Sequence, residues 1–94
     1  MKVHLRIEGL AVLYKIFNKQ KALDIDFPGN TLRDFTHALI RKYGPGVKTA
    51  ILDRKGEIDM ELRVVVNQSD YLAYGERMDT TLHDGDILHL MTVG

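Results

Sequence analysis

The chain has no cysteine among its 94 residues. This absence excludes a disulfide-stabilised scaffold, a zinc site built on thiolates and a cysteine nucleophile. The chain also lacks a formal net charge, because thirteen basic residues balance thirteen acidic ones. A neutral chain has no overall electrostatic attraction for nucleic acid or for a membrane surface, so we expect neither as a partner.

Long hydrophobic runs are missing as well. The longest apolar cluster, residues 10–14, is far shorter than the roughly 20 residues that span a bilayer. The N-terminal residues carry no signal-peptide pattern, which favours a cytoplasmic location. The hydrophobic fraction of 45% is typical of a globular protein, and the length suits one domain over residues 1–94, with a short C-terminal tail at residues 92–94.

Two segments near the N-terminus alternate apolar and polar residues and therefore predict strands, at residues 3–7 and 23–27. Asp24 and Asp26 fall on the solvated face of the second strand. The apolar and then polar segment between the strands, residues 9–21, predicts an elaborated hairpin with its turn near residues 18–20.

A capping-box pattern predicts that the main helix begins at Thr31, with Asp34 three residues later. The helix extends over residues 31–43 on an apolar face formed by Leu32, Phe35 and Leu39. A further helical turn is expected near residues 47–52. Strands follow at residues 62–66 and 87–91, the second of them after a turn at Asp84-Gly85-Asp86.

A hairpin, one amphipathic helix and further strands are typical of an α+β fold. The order predicts a β-grasp, with a mixed four- to five-stranded sheet covered by one main helix. It also resembles the MoaD/ThiS family of ubiquitin-like sulfur carriers, which includes the small subunit of molybdopterin synthase. Besides the first strand, the matching segments are FPGNTLRD at 27–34, VVVN at 64–67 and TLHDGDI at 81–87. The resemblance covers nearly the whole chain.

The resemblance implies a function for the C-terminal glycine, which is Gly94 here. In this family an adenylating enzyme uses ATP to activate the terminal carboxylate. The carboxylate then becomes a thiocarboxylate that supplies sulfur for molybdopterin or a related cofactor. The chain would be a carrier with no bound cofactor and no catalytic residue of its own. Its partners would be the adenylating enzyme and a large subunit similar to MoaE.

The penultimate residue departs from the family pattern, because Val93 stands where the family has glycine. A β-branched residue restricts the tail. Three explanations remain open: an activating partner with a wider channel, a divergent chain that no longer carries sulfur, or a native chain that extends past residue 94. In the second case the domain would be a non-covalent interaction module.

The segment at residues 10–17 has more apolar side chains than a plain hairpin needs. These side chains either complete the core or form an exposed patch for a partner, and both interpretations remain open. The candidate partner-binding residues are Leu10, Val12, Tyr14, Phe17 and Met91. The four histidines lack the spacing of a zinc site, so we expect no metal site.

Overall fold

The computed structural model describes residues 1–67, 70–72 and 74–92. In chain order its elements are β1 (Lys2–Glu8), α1 (Ala11–Ile16), β2 (Ala22–Asp26), α2 (Leu32–Tyr43), α3 (Pro45–Ile51), β3 (Leu62–Val66), β4 (Asp70–Tyr71), a 3-10 helix (Tyr74–Asp79) and β5 (Ile87–Thr92). The strands form one five-stranded sheet in the order β2-β1-β5-β3-β4. Strands β1 and β5 are parallel and the other neighbours are antiparallel. This is the predicted mixed sheet of a β-grasp.

The core lies between one face of the sheet and the helices. Alternation along the strands directs every second side chain to that face, and α2 contributes its apolar stripe. The predicted helix contacts are confirmed as members of one buried cluster: Val3, Leu5, Ile25, Leu32, Phe35, Leu39, Val64 and Leu88. The rings of Phe27 and Phe35 meet edge to face, with centroids 5.5 Å apart.

The N-terminus of α2 confirms the capping box. The backbone N–H of Asp34 donates to Thr31 Oγ1 at 3.2 Å, and the Asp34 carboxylate accepts from the backbone N–H groups of Asn30 and Thr31. These bonds, led by the one from Asn30, lower the pKa of Asp34 from its ordinary value of 3.8. Gly29 precedes the cap at φ +129°, and a β-carbon there would lie only 2.6 Å from the Asp34 side chain.

The segment between β1 and β2 is not the plain hairpin that the sequence predicts, because α1 is inserted into it. Leu13 and Phe17 are spaced by four residues, which brings both to one side of a helix, and both are buried. Phe17 also meets Tyr43 of α2 edge to face at 4.8 Å. The predicted turn is confirmed, since Asn18 and Lys19 adopt positive φ angles of 56° and 62°.

Candidate functional site

The end of β5 is the structural feature closest to the predicted sulfur-carrying terminus. Strand β5 lies in the middle of the sheet, and its last residue, Thr92, is opposite Leu62 of β3. The sequence predicts that the tail begins at residue 92, but Thr92 belongs to the strand because it completes the pairing with β3. Val93 and Gly94 lie outside the described residues, so their role stays a prediction.

On the other side of Thr92 is Gly9, the residue that follows β1. Gly9 has a φ of +69°, and a β-carbon at this position would lie 2.8 Å from Thr92 Oγ1. That distance is shorter than a van der Waals contact. A residue with a β-carbon at position 9 would have to displace the Thr92 side chain, so the close approach favours glycine here.

Arg77 of the 3-10 helix supports the other neighbour of Thr92. Its guanidinium is only 1% exposed and donates to three backbone carbonyls: Leu62 at 2.5 Å, Ile58 at 2.7 Å and Asp59 at 2.9 Å. These bonds fix the start of β3, which lies beside the end of β5. Sequence reasoning missed Arg77, because a single arginine in an irregular segment gives no periodic signal.

The sheet has a second surface, opposite the helices, which we call the open face. It includes Arg6 of β1, Arg63 and Val65 of β3, and Ile87, His89 and Met91 of β5. The register sets Arg6 beside His89 and Arg63 beside Met91. Glu8 of β1 lies on the other side of Met91, so the open face mixes apolar and charged side chains. Met91 lies at its end nearest Thr92, and its role in partner binding stays a prediction.

The other predicted partner-binding residues lie on or beside α1. Val12 is 58% exposed, while Leu10 and Tyr14 are half-buried. Leu10 and Tyr14 line a groove of about 280 Å³ that also includes Gly9 and Lys21. The prediction for Phe17 is wrong: this side chain is 2% exposed and packs in the core, because it lies one helical turn after Leu13. Some side chains of residues 10–17 therefore complete the core, and others are exposed on the surface.

A further apolar side chain lies near the end of β5. Met60 is 70% exposed and precedes Leu62, the partner of Thr92, by two residues. The sequence gives no signal for it, because its exposure depends on the irregular connection before β3.

Some polar side chains of the described residues form hydrogen bonds within the fold. His4 Nδ1 and Asp24 Oδ1 are 2.6 Å apart across β1 and β2, and this hydrogen bond lowers the pKa of Asp24. Both Asp24 and Asp26 are exposed, as predicted for the solvated face. Within residues 1–67, 70–72 and 74–92, no three His, Asp or Glu residues come together as a metal site would require. Among the same residues, no helix has the length and hydrophobicity to cross a membrane.

The fold is shared with several solved structures. CysO from Mycobacterium tuberculosis aligns with a TM-score of 0.78 and 20% identity, covering 98% of this chain and 99% of that one. A chain of the BexX/CysO complex from Amycolatopsis orientalis aligns at 0.77 with 16% identity, covering 98% and 96%. SAMP1 from Haloferax volcanii aligns at 0.75 with 19% identity, covering 100% and 97%.

The β-grasp fold that the resemblance implies is confirmed by these alignments. The alignments span both chains almost end to end, so they compare whole domains. No protein-family model and no curated protein sequence matches the chain. At these identities the shared feature is the fold, and function has to be argued from the residues.

Proposed function

We propose that this protein is a ubiquitin-like sulfur carrier that acts through the carboxylate of Gly94. In this proposal a partner enzyme uses ATP to adenylate that carboxylate, and a sulfur donor then converts it to a thiocarboxylate for molybdopterin or a related cofactor. The carrier binds no cofactor and catalyses no step alone. We place the carrier in the cytoplasm, because the proposed partner needs ATP.

The chemistry explains why a carboxylate of this kind needs a partner. A terminal carboxyl group has a pKa near 3.5 and is an anion at neutral pH, which makes it a poor electrophile. Attack of its oxygen on the α-phosphate of ATP forms an acyl-adenylate and releases pyrophosphate. A sulfide nucleophile then attacks the carbonyl carbon, and AMP leaves with the electron pair of the broken carbon–oxygen bond.

The observation that carries the proposal is the position of β5, the central strand whose last described residue is Thr92. Two further residues extend the chain by at most about 7 Å. An enzyme that reaches the Gly94 carboxylate must therefore contact the domain surface around Thr92. Apolar side chains with exposed surface adjoin this point along the chain: Met91 precedes Thr92, Leu10 follows Gly9, and Met60 precedes Leu62 by two residues.

The same geometry supports docking of the partner through the open face. Met91 adjoins Thr92 and faces away from the helices, and its neighbours on the open face, Glu8 and Arg63, add charged contacts to this hydrophobic one. The Amycolatopsis orientalis CysO was solved as a complex with BexX, so a protein of this fold does bind a partner. For the chain described here, the proposed partners are an adenylating enzyme and a large subunit similar to MoaE.

Val93 favours a second candidate function, a non-covalent interaction module of the same fold. Valine restricts the backbone next to Gly94, whereas glycine would relax it. If the cognate enzyme accommodates valine, Val93→Gly should leave its turnover unchanged. With an enzyme whose channel accepts Gly-Gly tails, the same change should raise turnover. An interaction module would give no turnover with either sequence.

The test is reconstitution with the cognate adenylating enzyme, ATP and sulfide, with pyrophosphate release as the readout. We expect release with the wild type and none above background after deletion of Gly94. The deletion should leave the free energy of unfolding unchanged, because residue 94 follows the last strand. Equal release by the wild type and the deletion variant, or none by either, would reject the carrier function.

A further inference from the structure

We propose that Gly9 is a positioning residue, which acts through Thr92 to set the direction in which the reactive tail leaves the domain. This inference rests on the proposed function, because a positioned tail matters only if its carboxylate reacts. Gly9 and Thr92 are 83 positions apart in sequence, by subtraction of their residue numbers, and meet where β1 and β5 both end.

Two independent constraints act on Gly9. Its φ of +69° lies in the region that favours glycine, which lets the chain turn from β1 into α1. Its missing β-carbon also leaves the space that Thr92 occupies: a β-carbon would lie 2.8 Å from Oγ1, 3.6 Å from Cγ2 and 3.8 Å from Cβ of Thr92. The first constraint concerns the turn alone, and the second concerns the end of β5.

Thr92 lies between Gly9, where the missing β-carbon leaves room for its side chain, and Leu62, with which it pairs. A methyl group at position 9 would displace the Thr92 side chain, and we expect this displacement to weaken the last pairing of β5 with β3. Thr92 is the last described residue before Gly94, so we expect its displacement to change how the carboxylate is presented to the enzyme. Gly9 is not on the open face, and one added methyl group changes little of the surface that the partner is proposed to contact. A change at Gly9 should thus affect the orientation of the reacting group more than the binding of the domain.

Gly9→Ala tests this, with Gly56→Ala as the matched control. Gly56 has a similar φ of +80°, but nothing lies within 4 Å of its ideal β-carbon position. Both variants acquire the backbone strain of alanine at positive φ, and only Gly9→Ala acquires the contact with Thr92. We expect Gly9→Ala to lower kcat for adenylation roughly tenfold, the effect of a moderate coupling between contacting residues, with little change in KM. Gly56→Ala should keep the wild-type kcat. Both variants are measured under conditions in which they are fully folded.

Thr92→Ala supplies the rescue, because it removes the two atoms nearest the added methyl group. In the Thr92→Ala background, adding Gly9→Ala should change kcat by less than about twofold. When Thr92 is present, the same change should lower kcat about tenfold. Amide hydrogen exchange gives a readout that does not depend on the enzyme. Gly9→Ala should speed exchange at residues 91–92 and leave residues 87–90 unchanged, and Thr92→Ala should remove the difference.

The outcomes separate the inference from the function on which it rests. A wild type that the enzyme does not adenylate rejects the proposed function and, with it, the role of Gly9 in the reaction. A wild type that reacts, together with a Gly9→Ala variant of equal kcat, rejects only the inference. A loss in Gly9→Ala that Thr92→Ala does not rescue also rejects it, because the cause would then be backbone strain at position 9.

Discussion

Arg77 and Leu62 are joined by a buried hydrogen bond, from the guanidinium Nη1 to the Leu62 carbonyl. Leu62 is also the residue opposite Thr92 in the pairing of β3 with β5. Through this bond the 3-10 helix holds the start of β3, which in turn flanks the end of the central strand. An interior charge therefore organises the part of the sheet from which the proposed reactive tail leaves.

Replacing Arg77 with methionine should strongly destabilise the fold. Three carbonyl acceptors would lose a charged donor, and each such bond contributes about 1.5 to 3 kcal/mol without strict additivity. We expect a loss of at least about 3 kcal/mol in the free energy of unfolding, measured by denaturant titration. Arg77→Lys, which keeps a charge but lacks the planar fork, should be intermediate. A methionine variant as stable as the wild type would contradict this role.

The apolar face of α2 gives a second stability prediction. Phe35 is 1% exposed and packs against Phe27, so Phe35→Ala should cost roughly 3 to 5 kcal/mol through lost burial and cavity formation. His37 on the same helix is exposed, and His37→Ala should change stability by less than about 0.5 kcal/mol. Similar denaturation midpoints for the two variants would remove Phe35 from the core.

The capping box predicts an acid-sensitive contribution to stability. Hydrogen bonds from the Asn30 and Thr31 backbone lower the folded-state pKa of Asp34 below its ordinary value of 3.8. The contribution is therefore complete above that value and is lost as the pH falls through the lower, folded-state pKa. Between about pH 5 and pH 2 the unfolding free energy of the wild type should fall more than that of Asp34→Asn. Parallel pH profiles for the two proteins would mean that the Asp34 charge does not stabilise the fold.

The open face gives a prediction about docking. Met91→Asp should raise KM for the adenylating enzyme about tenfold or more, because it replaces an apolar contact of the proposed interface with a carboxylate. The control is His83→Asp. His83 lies in the turn before β5, at the other end of that strand from Met91, and its side chain is 79% exposed. It should leave KM unchanged. If Val12→Asp raises KM and Met91→Asp does not, the partner binds at α1 and the open face is not the interface.

The parts of this fold that depend on local sequence patterns could be predicted from the sequence. Alternation revealed β1 and β2, and the Thr31–Asp34 spacing revealed the start of α2, because neighbouring residues decide both features. Helix α1 was missed because it is only six residues long and Leu10, at its N-cap, makes no side-chain cap. The contacts of Gly9 with Thr92 and of Arg77 with Leu62 join distant segments, and only the folded topology brings them together.

The most direct test of the central claim is to locate the sulfur in the reacted protein. After incubation with the adenylating enzyme, ATP and sulfide, fragmentation mass spectrometry would compare the C-terminal peptide with the remainder of the chain. The account predicts a single exchange of oxygen for sulfur at the terminal carboxyl group of Gly94, dependent on ATP. An unmodified C-terminal peptide after incubation with the cognate enzyme, or sulfur found only on a side chain elsewhere, would contradict it.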